Sequence, residues 1–211
     1  AAGRLLCVAA LCVFAAVVLR TAWVCDDAFI TLRTVDNFVN GYGLRWNVAE
    51  RVQAFTHPLW LMLVTVPYLA THEAFFTVTA VSIAVSLAAA CLLAYHARRT
   101  PWSALVGLTA LLMSRVFTDY STSGLENPLT HLLIVVFVVL LADGPMSGRR
   151  LLALALTVAL ATLNRLDNAL LFAPALALAV LRFGRLRALG IAAAGFAPLV
   201  VFDDNGTLWL T

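Results

Sequence analysis

The sequence contains no lysine; all 14 of its basic residues are arginine. They form no basic tract and leave a net charge of only +3, which excludes the electrostatic footprint of a nucleic-acid-binding protein. Cysteine is scarce as well. Cys7, Cys12, Cys25 and Cys91 form no CxxC pair, so neither a disulfide framework nor a zinc site is indicated, and three of the four sit in apolar blocks as small hydrophobes do. Internal repeats and low-complexity linkers are absent. Charge of either sign is sparse at 12% of residues, against 63% hydrophobic. Soluble domains carry about 25% charged residues and roughly 45–50% apolar ones, so a soluble globular reading is excluded.

What is there is a series of long apolar blocks. A spanning helix needs roughly 20 mostly apolar residues. Leu5–Val24 meets that length and runs into Cys25-Asp26-Asp27 with no small-residue cleavage pattern, which reads as a permanent anchor rather than a signal peptide. Further blocks cover about 74–97, 102–117, 128–142, 151–163, 169–181 and 188–202. The block Pro58–Ala70 is ambiguous, because some 13 residues make a helix of only about 20 Å. Charge placement decides the matter. If 58–70 lies in the outer interface, Arg4, Arg98, Arg99, Arg149, Arg150, Arg182, Arg185 and Arg187 all face the cytoplasm, as the positive-inside rule requires. The expectation is therefore an all-α, polytopic membrane helical bundle over 1–202 with seven spans. An outer-face loop with interfacial helices covers 25–73, and a short tail covers 203–211.

This topology puts Cys25–His57, Arg115–Asn127 and Asn164–Asn168 on one outer face, with ten of the eleven acidic residues. Nucleotide sugars and ATP are absent there, so no nucleotide cofactor is expected. In the first outer loop Phe29, Ile30, Leu32, Val35, Phe38 and Val39 recur at helical spacing and Asn40-Gly41 supplies a stop, predicting an amphipathic helix on the membrane surface.

Four groups of residues on this face could carry chemistry. Asp26-Asp27 follows a span directly. Adjacent carboxylates repel, which raises the pKa of one of them. One can take a proton from a hydroxyl while the other holds a hard cation, although a solvated helix end would look the same. Glu126, just before Pro128, could contact substrate or metal, or simply complement a helix N-terminus. Arg165 has the planar fork that suits a phosphate, though it could equally pair with Asp167. His57-Pro58 opens the interfacial block and could touch an acceptor or a metal. Asp27 and Glu126 are the candidate metal ligands, for a divalent cation such as Mg, Mn or Ca.

At these segments the sequence resembles a known family. Asp26-Asp27-Ala28-Phe29-Ile30-Thr31-Leu32-Arg33, Asn40-Gly41-Tyr42-Gly43-Leu44-Arg45-Trp46-Asn47 and Glu50 through Trp60 are similar to the first extracytoplasmic loop of type C (GT-C) glycosyltransferases, closest to the bacterial arabinofuranosyltransferase branch. Ser123-Gly124-Leu125-Glu126 matches the family's SGLE run. Asn164-Arg165-Leu166-Asp167 resembles its T/V-R-P-[DE] run, with Leu166 in place of the Pro. The resemblance implies a multi-pass enzyme of the bacterial plasma membrane that is active on its extracytoplasmic face. Such an enzyme transfers a sugar, arabinofuranose in this branch, from a polyprenyl-phosphate donor to a cell-wall glycan or surface-protein acceptor. The site then predicts a single displacement with inversion at the anomeric carbon, with Asp26 as general base, Asp27 beside it, and Glu126, Arg165, Asp167 and His57 as substrate contacts; Asp26, Asp27, Glu126, Arg165 and Asp167 are expected to converge on one outward-facing cavity. Family members are longer, so this chain is expected to be an N-terminal module, and an inactive fragment is one alternative. The alternative from another class is a transporter or lipid flippase, which would place ionisable residues near mid-membrane in broken helices. A purely structural membrane subunit would need no polar convergence.

The topology predicts that single cysteines placed at 98, 149 and 185 label from one side of the membrane and a cysteine at 27 from the other. Labelling of positions 98 and 27 from the same side of intact cells would refute it.

Overall fold

A computed structural model describes residues 2–50, 54–97, 101–142 and 144–199. Arg98, Arg99, Asp143, residues 51–53, the end of the last expected span and the tail at 203–211 lie outside the described residues. The described chain is all-helical. Ten helices follow in the order α1 (Ala2–Arg20), α2 (Ala28–Val39), α3 (Pro58–Thr71), α4 (Ala74–His96), α5 (Pro101–Met113), α6 (Arg115–Tyr120), α7 (Asn127–Ala142), α8 (Gly148–Asn164), α9 (Asn168–Phe183) and α10 (Arg185–Gly195). The bundle centres on α4, which packs along α7. In turn, α8 packs on α7, α9 and α10, while α1 packs on α5 and α4.

Helix boundaries follow local chemistry. Glu73 caps α4 by accepting from the backbone N–H groups of Phe75 and Phe76, which satisfies two orphan donors of the first turn. Ser147 caps α8 in the same manner through Arg150 N–H. The expected block 102–117 is not one helix. Ser114 adopts an extended backbone and its hydroxyl accepts from Phe117 N–H, so the side chain competes with the helical ladder, ends α5 and starts α6. The first block is shifted as well. Its helix starts before Leu5 and ends at Arg20, leaving 21–24 as a connector in which Trp23 Nε1 donates to Asp119 O at 2.9 Å. The last block is broken at Gly195. A Cβ on Gly195 would lie 2.5 Å from Ala155 Cβ, so only glycine permits this crossing of α10 and α8.

Among the described residues one helix, α4, is long and apolar enough to cross a hydrocarbon core by itself. At 23 residues it rises about 34 Å. Leu5–Arg20, Pro58–Thr71, Trp102–Met113, Asn127–Ala142 and Asn168–Phe183 are apolar but shorter. The distribution of side chains is informative. The buried face of α4 is mostly small or polar: Thr77, Ser82, Ser86, Ala89, Ala90 and Ala94, with Val78 the one larger apolar side chain. Large apolar residues point outward across the bundle, with Phe76 72% exposed, Val106 68% and Leu170 80%. Close helix contact through small residues with an apolar exterior is how helices pack when the surroundings are lipid, and exposed apolar surface on this scale needs a cover.

In the first outer loop, α2 buries Ala28, Thr31, Leu32, Thr34, Val35 and Asn37 and rests on α3 rather than lying alone on a surface. Tyr68 of α3 donates to Asp36 Oδ1 at 2.7 Å. Asn37 Nδ2 donates to the carbonyls of Arg45 and Trp46, which ties down the loop after α2. Trp60 of α3 is fully buried and its Nε1 donates to Gly124 O at 2.9 Å. Gly124 has φ +81°, and a Cβ there would meet Ala28 Cβ at 2.8 Å and Val24 Cγ1 at 3.1 Å.

Gly124→Ala therefore combines left-handed strain with a clash against the Ala28 and Val24 side chains and should cost about 2–4 kcal/mol. Gly41→Ala shares the positive φ (+82°) but has nothing within 4 Å, so it should cost only about 1–2 kcal/mol. Thermal unfolding in detergent micelles checks the order; equal losses would contradict it.

Candidate functional site

Hydrogen bonds join the segments Cys25–His57, Arg115–Asn127 and Asn164–Asn168 at one end of the bundle. Cys25 N–H donates to Ser123 O at 2.8 Å, and Trp23 N–H reaches Thr122 Oγ1 at 3.3 Å. Asn164 Nδ2 donates to Glu126 O at 3.1 Å and to Thr130 Oγ1 at 2.9 Å. At the junction lies the Glu126 carboxylate, in a residue only 4% exposed.

Glu126 sits where the SGLE run meets α7. Its carbonyl accepts from Thr130 N–H, so its carboxylate lies at the positive end of a helix. Oε1 accepts from Arg165 Nη1 at 2.9 Å, and Oε2 faces His57 Nδ1 at 3.5 Å. Arg165 is the C-cap of α8 with an extended backbone (φ −163°, ψ 125°), which turns its side chain back over the α7 terminus. Its Nε also donates to both Asp167 oxygens, at 2.9 and 3.0 Å. Asp167 precedes α9 without capping it and is committed to the arginine instead. These two carboxylates, Asp167 first and Glu126 second, raise the Arg165 pKa further, so the guanidinium is charged at every working pH. Half of the Arg165 side chain is exposed, and its Nη2 has no hydrogen-bond partner among the described residues. One arginine between two carboxylates carries a net −1, which weakens its attraction for a phosphate.

Pro58 occupies the first turn of α3, and His57 ahead of it has a non-helical backbone (φ −133°, ψ 67°), outside the α region that a following proline disfavours. The ring then points away from α3 to Thr31 of α2, with Nε2 2.6 Å from Thr31 Oγ1. His57 is buried, at 8% exposure. Burial pushes its pKa below the usual histidine value; Glu126 opposes that shift and Arg165 adds to it. The ring is therefore neutral at pH 7. The sequence reading made His57 a substrate contact, but the structure places both ring nitrogens against protein atoms.

Asp26 and Asp27 lie on the exposed turn that enters α2. Among the described residues no hydrogen bond or ion pair joins them to the Glu126–Arg165 cluster, although the Cys25–Ser123 bond anchors their turn to the segment carrying Glu126. Repulsion between the pair was expected to raise a carboxylate pKa. For Asp26 the direction is the opposite. Its Oδ1 accepts from Cys25 Sγ at 3.2 Å and from Asp27 N–H at 3.0 Å, and these two bonds, the thiol first, lower its pKa. Burial, then the hydrogen bond to Asp26, raises the Cys25 pKa, so the thiol stays protonated.

The metal reading shifts with these contacts. Both Glu126 oxygens are taken up by Arg165 and His57. The ligand atoms of Cys25, Asp26 and Asp27 lie within 4.8 Å of one another. A neutral thiol is a poor ligand for a hard cation, which leaves two carboxylates. That donor set suits Mg or Mn, which complete their shell with water and substrate phosphate.

Thr31 and Asn164 are the two contacts that sequence reasoning passed over. Asn164 lay inside a motif already singled out. Thr31 is a lone hydroxyl on the buried face of an amphipathic helix, and spacing does not distinguish it from packing.

Comparison with known proteins adds the decisive finding. A protein of Corynebacterium glutamicum is 32% identical over 136 residues, covering 60% of this chain and 19% of the relative. A protein of Mycobacterium tuberculosis is 30% identical over 201 residues, covering 84% of this chain and 31% of the relative. Both are named terminal beta-(1->2)-arabinofuranosyltransferase. The chain is similar to arabinofuranosyltransferases. It spans less than a third of the length of either relative. No protein-family model and no solved structure matches it.

Within this arabinofuranosyltransferase-like module the buried carboxylate is the most sensitive point. Glu126→Leu strips Arg165 and His57 of their shared partner. A fully buried pair would lose roughly 3–5 kcal/mol; half-exposure of the arginine reduces this to about 1–3 kcal/mol. Asp167→Asn, at a carboxylate that is 60% exposed, should cost less than about 1 kcal/mol. Thermal unfolding of the two variants in micelles checks the contrast; equal losses would count against it.

Proposed function

We propose that the chain carries the donor site of a GT-C-type membrane glycosyltransferase. In this reading it transfers a sugar, arabinofuranose, from a polyprenyl-phosphate donor to a hydroxyl of an extracytoplasmic cell-wall glycan or surface protein. The observation that carries the reading is the similarity to two relatives of that name, extending to 201 residues. The small-inside, large-outside packing around α4 supports a multi-pass chain with seven crossings in the bacterial plasma membrane. The gathering of the three outer segments at one end supports an extracytoplasmic site.

The reaction follows from what each side chain can do. The lipid tail of the donor stays in the bilayer, and its phosphate meets the exposed Nη2 edge of Arg165. Glu126 and Asp167 hold that guanidinium in place, so its orientation is set before substrate arrives. Of the acidic pair, Asp26 already accepts two hydrogen bonds, which makes it the weaker base. Asp27 then takes the acceptor proton as the acceptor oxygen attacks the anomeric carbon. The bond from that carbon to the phosphate oxygen breaks, and the polyprenyl phosphate leaves with the electron pair. A single displacement inverts the anomeric centre. A divalent cation on Asp26 and Asp27 would supply the positive charge that the net −1 around Arg165 lacks.

In lipid vesicles with polyprenyl-phosphoryl arabinofuranose and an arabinan acceptor, Asp27→Asn should lower kcat by roughly 10²–10⁴-fold with little change in KM, and Asp26→Asn should lower it less. Transfer that survives both substitutions would remove the acidic pair from the mechanism.

A further inference from the structure

Glu126 is gripped from two sides, and only the Arg165 side has so far been given a role. On the other side the order of groups is hydroxyl, imidazole, carboxylate. Thr31 Oγ1 lies 2.6 Å from His57 Nε2, and His57 Nδ1 lies 3.5 Å from Glu126 Oε2. This is the connectivity of a nucleophile, base and acid triad. Burial decides against a nucleophile. Thr31 is 2% exposed, so no substrate reaches its oxygen, and the same connectivity must serve another end.

The proton positions follow from the donor and acceptor inventory. Glu126 is an ionised carboxylate with a guanidinium on Oε1, so it can only accept. Nδ1 of His57 faces that carboxylate at 3.5 Å and Thr56 Oγ1 at 3.4 Å; a bare lone pair there would meet the negative charge, so Nδ1 carries the hydrogen. Nε2 of the neutral ring is then an acceptor, and the Thr31 hydroxyl must be its donor. The His57–Glu126 link is an electrostatic contact, and Arg165 holds the carboxylate from the far side through a hydrogen bond. Thr31 belongs to α2, His57 to the start of α3, Glu126 to the start of α7 and Arg165 to the end of α8. Oriented dipoles in a dry setting polarise one another, and this row of contacts leads to the carboxylate against which the guanidinium is registered.

We propose that Thr31 and His57 are positioning residues that orient Glu126 and, through it, the Arg165 edge that receives the donor phosphate. The donor's place in this statement rests on the function proposed above; the row of contacts from Thr31 to Arg165 does not.

The test uses the full chain in lipid nanodiscs, with ¹⁵N labels in histidine and arginine. Thr31→Val keeps the shape and removes the hydroxyl, whereas Thr31→Ser keeps the hydroxyl and removes a methyl. His57→Gln assigns the ring signals among the four histidines. The expected result is the Nδ1–H tautomer for His57 in the unaltered chain. Its Nε2 shift and the Arg165 Nε shift should both change in Thr31→Val and return in Thr31→Ser. With polyprenyl-phosphoryl arabinofuranose, Thr31→Val should raise the donor KM roughly five- to tenfold, change kcat less than KM, and be rescued by Thr31→Ser. An Nε2–H tautomer, or a Thr31→Val variant whose Arg165 signal and KM match the unaltered chain, would overturn the proposal. Absence of transfer by the unaltered chain would instead overturn the transferase reading, and the tautomer and Arg165 shifts would still decide on the positioning chain.

Discussion

One end of the bundle depends on a single buried carboxylate. A glutamate at 4% exposure cannot stay ionised without partners, because removing a charge from water costs several kcal/mol even after relaxation. Arg165 and His57 are those partners, and each comes from a different stretch of chain. The constraint therefore works in both directions. Glu126 is tolerable only if α3, α7 and α8 end at the same place, and those helix ends are held together by what Glu126 requires. The bonds from Asn164 to Glu126 O and from Trp60 to Gly124 O fix the backbone around the charge, so the carboxylate has little freedom to escape to water.

The same logic explains the division of labour between inside and outside. Along α4 the inward face offers mainly threonine, serine and alanine, with Val78, which let neighbouring helices approach closely. Other large apolar side chains, such as Phe76, Val106 and Leu170, lie on the exterior, while Trp60, Leu151 and Leu154 fill the core. A bundle built this way gains its helix contacts from close packing and polar bonds rather than from expelling water. Specificity among the helices then rests on particular polar junctions, and the Glu126 junction connects more elements than any other described above.

Much of this was legible in the sequence, though unevenly. Block lengths and apolar content located α4, α7, α8 and α9 to within a few residues, because caps such as Glu73 and Ser147 sit where propensity places them. The break at Ser114 was not legible, since a single serine in an apolar run reads as part of the run until its hydroxyl is seen to take Phe117 N–H. At the site, Glu126, Arg165 and Asp167 were legible as charges where charges are scarce. The pairing of Arg165 with Asp167 was one of two readings, and the hydrogen bonds show it; the bond from Arg165 to Glu126 was not foreseen. His57 was legible as a residue and not in its direction, which depends on Pro58 and on a threonine 26 positions earlier. The pKa of Asp26 is lowered because a thiol and a backbone amide, neither of them charged, donate to its carboxylate, and such local donors do not show in a pair of adjacent acidic residues.

The turn around Gly124 has a consequence for the order of events during synthesis. The segment bearing Asp26 and Asp27 leaves the ribosome about a hundred residues before the strip it leans on, as the span from Trp23 to Thr122 measures. His57 waits for Glu126, and Glu126 waits a further 39 positions for Arg165. Until then His57 has Thr31 and Thr56 beside it, whereas the Trp60 Nε1–H has yet to meet Gly124 O. The glycine that admits Ala28 and Val24 to close contact is where the early segment and the late one meet.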